Sequence, residues 1–248
     1  VAPFSVLADP HRLREALDPE APGGLHPSAR YILAKQLEEA DVILLNKLDL
    51  LSAPETEMLR ERVASRLPGR EVMGISALQG PGVDAWLDAV QSDASSGQRI
   101  LDIDYDIYAE GEAVLGWLNA TIRLSAREPV AWEGFCRALL QSVQEALDRK
   151  GAEIAHLKLL LSTADGQCVG NLTRTGGSVA VRGSPGAEAR EAELTLNARV
   201  QLSPSDLRAA VLDGLRAAAG DGISVFVTNI RHLSPGRPRP THRYARTV

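Results

Sequence analysis

The tetrapeptide Asn46-Lys47-Leu48-Asp49 is the stretch of this chain whose residue types and order point most directly to chemistry. It follows at once on the apolar run Val42-Ile43-Leu44-Leu45. In parallel α/β sheets ligands bind beyond the carboxyl ends of strands, and the motif falls there if the run is a strand. A carboxylate at Asp49 can accept two hydrogen bonds from one purine edge, the ring N–H and the exocyclic amine of guanine. Adenine offers no such pair, and a polar group left without its partner rejects a near-isostere by a large factor. The Lys47 stem can lie across the purine face while its ammonium stays in water. The Asn46 amide can brace the loop and approach the base. Three fixed residue types, each at about 5% usage, recur by chance in roughly one window in 8,000.

A second element follows at Ile75-Ser76-Ala77, the end of the next short apolar run. A small residue there lets a backbone N–H reach the guanine oxygen. Ser-Ala alone has no weight; its order and spacing after Asn-Lys-x-Asp give it some. The candidate nucleotide-binding residues are therefore Asn46, Lys47, Asp49, Ser76 and Ala77, with no catalytic residue and no metal ligand assigned. A nucleoside triphosphatase also needs a Gly-x-x-x-x-Gly-Lys-[Ser/Thr] loop to cradle phosphates and place magnesium. The chain contains no such string, and Gly176-Gly177 and Gly80-Pro81-Gly82 lack the Lys-Ser/Thr. A base-reading edge alone is expected to bind weakly and not to hydrolyse GTP.

The elements that must position these residues alternate. Phe4 to Ala8 reads as a strand stopped by Asp9-Pro10, and Pro27 opens a helix. Val42–Leu45 has the β-branched start and polar stop of a buried parallel strand. Ser52-Ala53-Pro54-Glu55 is a capping box that starts a helix to about Leu67. Val72 to Ile75 is a strand, and Val83, Trp86, Leu87 and Val90 share one helical face. Strand alternating with helix predicts a parallel sheet with crossover helices. Three strands are fewer than the roughly five or six of a typical sheet, so this half reads as part of one. With no initiator Met at Val1, the chain is expected to be cut from something longer.

Gln91 to Gln98 is small and polar, a linker by composition. Beyond it Leu101 to Tyr108 alternates apolar residues with Asp and reads as a half-buried strand. Leu115–Leu124, Leu157–Leu161, Cys168–Thr173, Val179–Arg182, Glu193–Leu202 and Ile223–Val227 are predicted strands. Pro129–Lys150 and Ser203–Gly220 are predicted helices, the second with Ser203 as cap and Pro204 in its first turn. The expected fold is α/β: residues 1–92 form the partial parallel sheet, 93–99 a linker, and 100–248 a separate α+β domain with both helices on one face of an antiparallel sheet.

Composition sets the outer bounds. The 248 residues carry 27 Lys+Arg against 32 Asp+Glu, a net charge of −5, with 44% hydrophobic residues. This excludes a disordered chain and a disulfide scaffold. Residues 1–100 hold 10 basic and 15 acidic side chains, and residues 101–248 hold 17 of each. The acidic balance argues against general nucleic-acid binding. No run is long and apolar enough to span a membrane. The N-terminus lacks a signal-peptide pattern, and two free thiols, Cys136 and Cys168 in unrelated contexts, fit a cytoplasmic location.

Taken together, Ala2-Pro3-Phe4-Ser5-Val6-Leu7-Ala8-Asp9-Pro10, Lys35 to Asp41 leading into Asn46-Lys47-Leu48-Asp49, and Ile75-Ser76-Ala77 resemble the second half of a CobW/HypB/UreG-type P-loop GTPase of the CobW branch. Gly116-Trp117-Leu118-Asn119-Ala120, His156-Leu157-Lys158 and Gly170-Asn171-Leu172-Thr173 are similar to the CobW C-terminal region. The resemblance implies a GTP-binding metallochaperone or metal-insertion factor. It would use GTP and magnesium and deliver a metal such as zinc or cobalt to a metal-requiring client protein. The family's phosphate loop, magnesium ligands and Cys-x-Cys-Cys metal motif lie upstream of the matched region, so hydrolysis by this chain alone is not implied. The alternative is a non-catalytic protein-interaction module derived from such a GTPase.

Other residues read more blandly. His156, His232 and His242 match no zinc spacing. Cys136 is expected to pack in the core and Cys168 to open a strand. Asp102, Asp104 and Asp106 would share a strand face at period 2, expected to be solvated. The Arg-rich stretch Arg237–Tyr244 is expected to be a capping or docking tail; it lacks the aromatic platform of a nucleic-acid site.

Overall fold

The computed structural model describes residues 2–18, 27–92, 103–187 and 189–237. The chain divides into two compact units, one running to Gly111 and including Arg237, the other from Glu112 to Gly236. The predicted linker 93–99 lies outside the described residues.

The first unit contains a three-stranded parallel sheet in the order β1 (Ser5–Ala8), β2 (Val42–Leu45), β3 (Glu71–Gly74). Ser5 pairs with Val42 and Val42 with Glu71, and the register runs unbroken from there. All four residues of β2 are buried, as a central parallel strand covered on both faces requires. Ile43 and Leu45 join a core with Leu13, Leu37, Leu59 and Val63 from the helices α1 (Pro10–Leu17), α2 (Pro27–Glu39) and α3 (Ala53–Arg66). Val42 and Leu44 face the other side, against Ile75 and Trp86 of α4 (Val83–Gln91). The capping box of α3 is formed: Ser52 Oγ accepts from Glu55 N, and Ser52 N donates to the Glu55 carboxylate at 2.9 Å. Such a cap stabilises a helix by about 1 kcal/mol.

Two local expectations are corrected. Asp9-Pro10 ends β1, but it also starts α1: Asp9 Oδ1 accepts from His11 N at 2.8 Å, and Pro10 occupies the first turn. Residues 105–108 are not a strand. They open the helix α5 (Tyr105–Ala113), because Asp104 Oδ1 takes the N–H groups of Asp106 and Ile107 and so satisfies the first turn. Asp104 and Asp106 therefore share no strand face, and Asp102 lies outside the described residues.

The second unit is a six-stranded antiparallel sheet in the order β7-β6-β5-β8-β4-β9, built from β4 (Gly116–Ala126), β5 (Ile154–Ser162), β6 (Gln167–Leu172), β7 (Ala180–Ser184), β8 (Glu191–Val200) and β9 (Ile223–Leu233). Burial alternates: Leu118, Ala120, Ile122 and Leu124 on β4 and Leu194, Leu196 and Ala198 on β8 are buried. They pack with Phe135, Leu139 and Val143 of α6 (Trp132–Arg149) and Leu207, Val211 and Leu215 of α7 (Pro204–Ala219) in one core. The two predicted helices thus cover one face of the sheet.

Candidate functional site

The carboxyl ends of β1, β2 and β3 carry Asp9, Asn46–Asp49 and Ser76–Ala77 respectively. The chain leaves β2 through Asn46 and turns sharply at Lys47, whose φ of 64° puts it in the left-handed region. Among the described residues it is the single non-glycine with positive φ, a conformation that costs an L-residue roughly 1–2 kcal/mol. Asn46 Oδ1 offsets this by accepting from Lys47 N at 2.8 Å and from Ala77 N at 3.0 Å. One side chain therefore ties the β2 loop to the β3 loop. Leu48 N donates to Ile75 O at 3.2 Å and adds a second tie. Leu48–Leu50 then form a single 3₁₀ turn that presents Asp49.

Ser76 is buried, and its hydroxyl donates to Asp49 Oδ1 at 2.6 Å. Asp49 Oδ2 has no hydrogen-bond partner among the described residues. Ser76 itself is held by the turn that the Gly80-Pro81-Gly82 string anticipates. Its N–H donates to Pro81 O at 2.9 Å, and its carbonyl accepts from Gly80 N at 2.8 Å. Gly82 has φ 79°, and a Cβ built there would stand 2.1 Å from the carbonyl oxygen of Gly74. Only glycine allows that approach.

Lys47 Nζ lies 2.5 Å from Asp9 Oδ2, with both side chains about one-third exposed. Burial pushes the Asp9 carboxyl up, but the Lys47 hydrogen bond and charge, with the N–H groups of His11 and Arg12, outweigh it and hold it below the usual aspartate value. Asp9 is the member of this cluster that the sequence did not reveal; its signal was the Asp-Pro step, read as a stop alone. The five predicted residues are thus brought together. Ala77 N–H, expected to face a ligand, is spent on Asn46, while the N–H of Leu78 beside it makes no hydrogen bond among the described residues.

The other predicted residues stand apart from this cluster. His156 Nε2 donates to Asn197 Oδ1 at 2.7 Å. Burial holds its pKa below the ordinary value, with the Lys158 and Arg199 charges acting the same way and the Asn197 bond opposing them. His232 pairs in register with Leu118, and His242 lies outside the described residues. Among the described residues no group of three or more His, Cys, Asp or Glu comes together to hold a metal ion. The cysteines do not sit in unrelated contexts. Cys136 on α6 and Cys168 on β6 bring their sulfurs to 3.4 Å inside the core, and burial raises both thiol pKa values. Of the Arg-rich tail only Arg237 is described, and its Nε donates to Asp106 Oδ1 at 2.6 Å.

A parallel α/β unit with a polar loop cluster at the strand ends is the class of protein that the fold and site define here. No family model matches the chain, and no curated protein matches it. Among solved structures it is similar to the Zn(II)-bound YjiA GTPase from E. coli, 17% identical, over 87% of this chain and 61% of that one, with a TM-score of 0.26. A Zn(II)-bound triple mutant of YjiA GTPase gives 17% identity, 85% and 60% coverage and the same TM-score of 0.26. The chain spans about three-fifths of the length of these GTPases. Among the described residues no helix is long and apolar enough to cross a membrane.

Proposed function

We propose that this chain reads guanine nucleotides through Asn46, Lys47, Asp49 and the Leu78 N–H, with Ser76 and Ala77 holding the two loops in shape, as part of a GTP-dependent metal-delivery protein of the CobW type. The observation that carries the reading is the Asp49 carboxylate. Ser76 fixes one oxygen at 2.6 Å and leaves the other free for a ligand. Asn46 Oδ1 is used within the loops, so its amide N–H₂ is the group left to donate to a purine ring nitrogen. Hydrogen bonds at Asn46 and Leu48 join the two loops without a ligand, which reduces the entropy that binding must overcome.

The proposed contacts stop at the base. The chain has no phosphate-cradling string, and its described residues assemble no cluster for magnesium. Those residues do not fit a magnesium site. Zinc or cobalt would be cargo, and a metal-requiring protein the recipient. Base reading without a phosphate cradle is expected to be weak, with a Kd of the order of 1 mM, or about −4 kcal/mol. Ligand-observed saturation-transfer NMR suits that range. GTP and GDP should show transfer to the guanine protons and compete with one another, while ATP competes poorly. Equal competition by ATP would refute the reading.

A further inference from the structure

We propose that the open face of the six-stranded sheet is a docking surface for an acidic, extended segment of a partner protein. α6 and α7 cover one face of this sheet, and the strand positions between the buried ones make up the other. Strand register sets those positions in rows. One row runs Arg231, Asn119, Asn197, Lys158 and Asn171 across β9, β4, β8, β5 and β6. The row on one side of it holds Arg199, and the row on the other holds Arg182.

Charge is unevenly spread over this face: the rows toward the start of β8 hold Arg123, Glu193 and Glu191, and the proposed site is confined to the three rows around Asn197. Residues 112–236 contain 13 basic and 13 acidic side chains and are neutral as a whole. These three rows nevertheless carry four cations and no strand carboxylate. Arg199 is accounted for internally: its guanidinium lies 3.7 Å over the Trp117 ring and feels the Glu112 charge. Lys158, Arg182 and Arg231 are exposed and form no ion pair among the described residues. The amides between them are fixed, because Asn197 accepts from His156 Nε2 and donates to Asn119 Oδ1. A row of oriented amides suits a peptide backbone, which needs donors and acceptors in turn, and the flanking cations suit carboxylates.

The same geometry selects protein over nucleic acid. Base recognition on a sheet uses free aromatic faces for stacking. Here Arg199 covers Trp117 at 3.7 Å, and the uncovered aromatic Phe226 is paired in register with Arg123, away from the Lys158 row. All of these residues belong to the antiparallel unit and none to the nucleotide-reading loops.

The test uses the full chain and a fluorescein-labelled peptide of alternating Glu and Ser, read by fluorescence anisotropy, with an oligouridylate of equal length as the second probe. The face variant is Lys158→Glu/Arg231→Glu, and the control with the same charge change is Arg149→Glu/Arg208→Glu on the helices, both checked for unchanged thermal melting. The peptide should bind in a salt-dependent way, weakened about tenfold or more by the face variant and less than about twofold by the control. Three outcomes overturn the proposal: no peptide binding at up to about 1 mM, equal losses in the two variants, or tighter binding of oligouridylate through the same residues.

Discussion

Asp49→Asn is the change that most directly tests the proposed chemistry. Asp49 Oδ1 already accepts from Ser76 Oγ at 2.6 Å, and an asparagine oxygen can keep that bond. The free Oδ2 would become an N–H₂ group. In the proposed pose guanine presents two donors to the carboxylate, so the variant sets a donor against donors and removes the charge. Hydrogen bonds to charged groups contribute about 1.5–3 kcal/mol each. Two such bonds, discounted because Asp49 is half-buried and partly screened by water, give about 2–4 kcal/mol, or roughly a 30- to 1,000-fold loss for GTP. Xanthine carries a carbonyl where guanine has its amine, so the new N–H₂ has an acceptor and XTP should gain. From a Kd of the order of 1 mM that loss takes GTP out of the detectable range, so saturation-transfer NMR with GTP, XTP and ATP on both proteins reads it as lost GTP transfer and gained XTP transfer, with circular dichroism to show an unchanged fold. Unchanged GTP binding, or a loss of GTP with no gain of XTP, would show that Asp49 does not read the base.

Two further predictions concern the scaffold. Gly82→Ala should lower stability by about 2–4 kcal/mol in urea unfolding, since it adds left-handed strain to a clash with the Gly74 carbonyl; Gly80→Ala, at φ 98° with nothing within 4 Å, should cost about 1–2 kcal/mol. Equal costs at the two positions would mean the close approach at Gly82 is unimportant. The depressed pKa of Asp9 makes its ion pair with Lys47 a contribution that is full above the unfolded value of 3.8 and is lost as pH falls through the lower folded value. After discounting for exposure it is worth about 1 kcal/mol, and Lys47→Met should flatten that part of the acid stability profile. An unaltered profile in the variant would remove the pair from the account.

Much of this architecture is legible in residue order because local signals and tertiary packing agree. β2 is announced by four apolar residues and a polar stop, α3 by its capping box, and α6 by an apolar stripe that is buried at Phe135, Cys136, Leu139, Leu140, Val143 and Leu147. What could not be read depends on contacts distant in sequence. No spacing rule says that Cys168 on a strand will meet Cys136 on a helix; that follows from how α6 lies on the sheet. The alternation of Asp with Ile and Tyr before Ala109 mimics a strand, and only the capping geometry of Asp104 decides for helix. The site shows the same division. Asn46, Lys47 and Asp49 are recognisable from their order, whereas Asp9 joins them because parallel pairing sets Ala8 beside Leu45.

That pairing also bears on how the proposed site discriminates. Asn46 Oδ1 draws in the amides of Lys47 and Ala77, and Asp9 draws in the Lys47 ammonium. The groups left over are the Asn46 N–H₂, the Leu78 N–H and Asp49 Oδ2: two donors and one anionic acceptor. In the proposed pose guanine answers them with two acceptors, at its ring nitrogen and carbonyl oxygen, and with donors at its ring N–H and amine. Adenine would place its amine, a donor, against the Leu78 N–H and would leave the carboxylate oxygen without a partner. Each mismatch costs about 1–3 kcal/mol where water is excluded. Discrimination is therefore expected to arise from groups left unpaired with the wrong base, and it requires the loop to keep its shape. The left-handed Lys47, the Gly82 approach and the Asn46 tie between the two loops supply that rigidity.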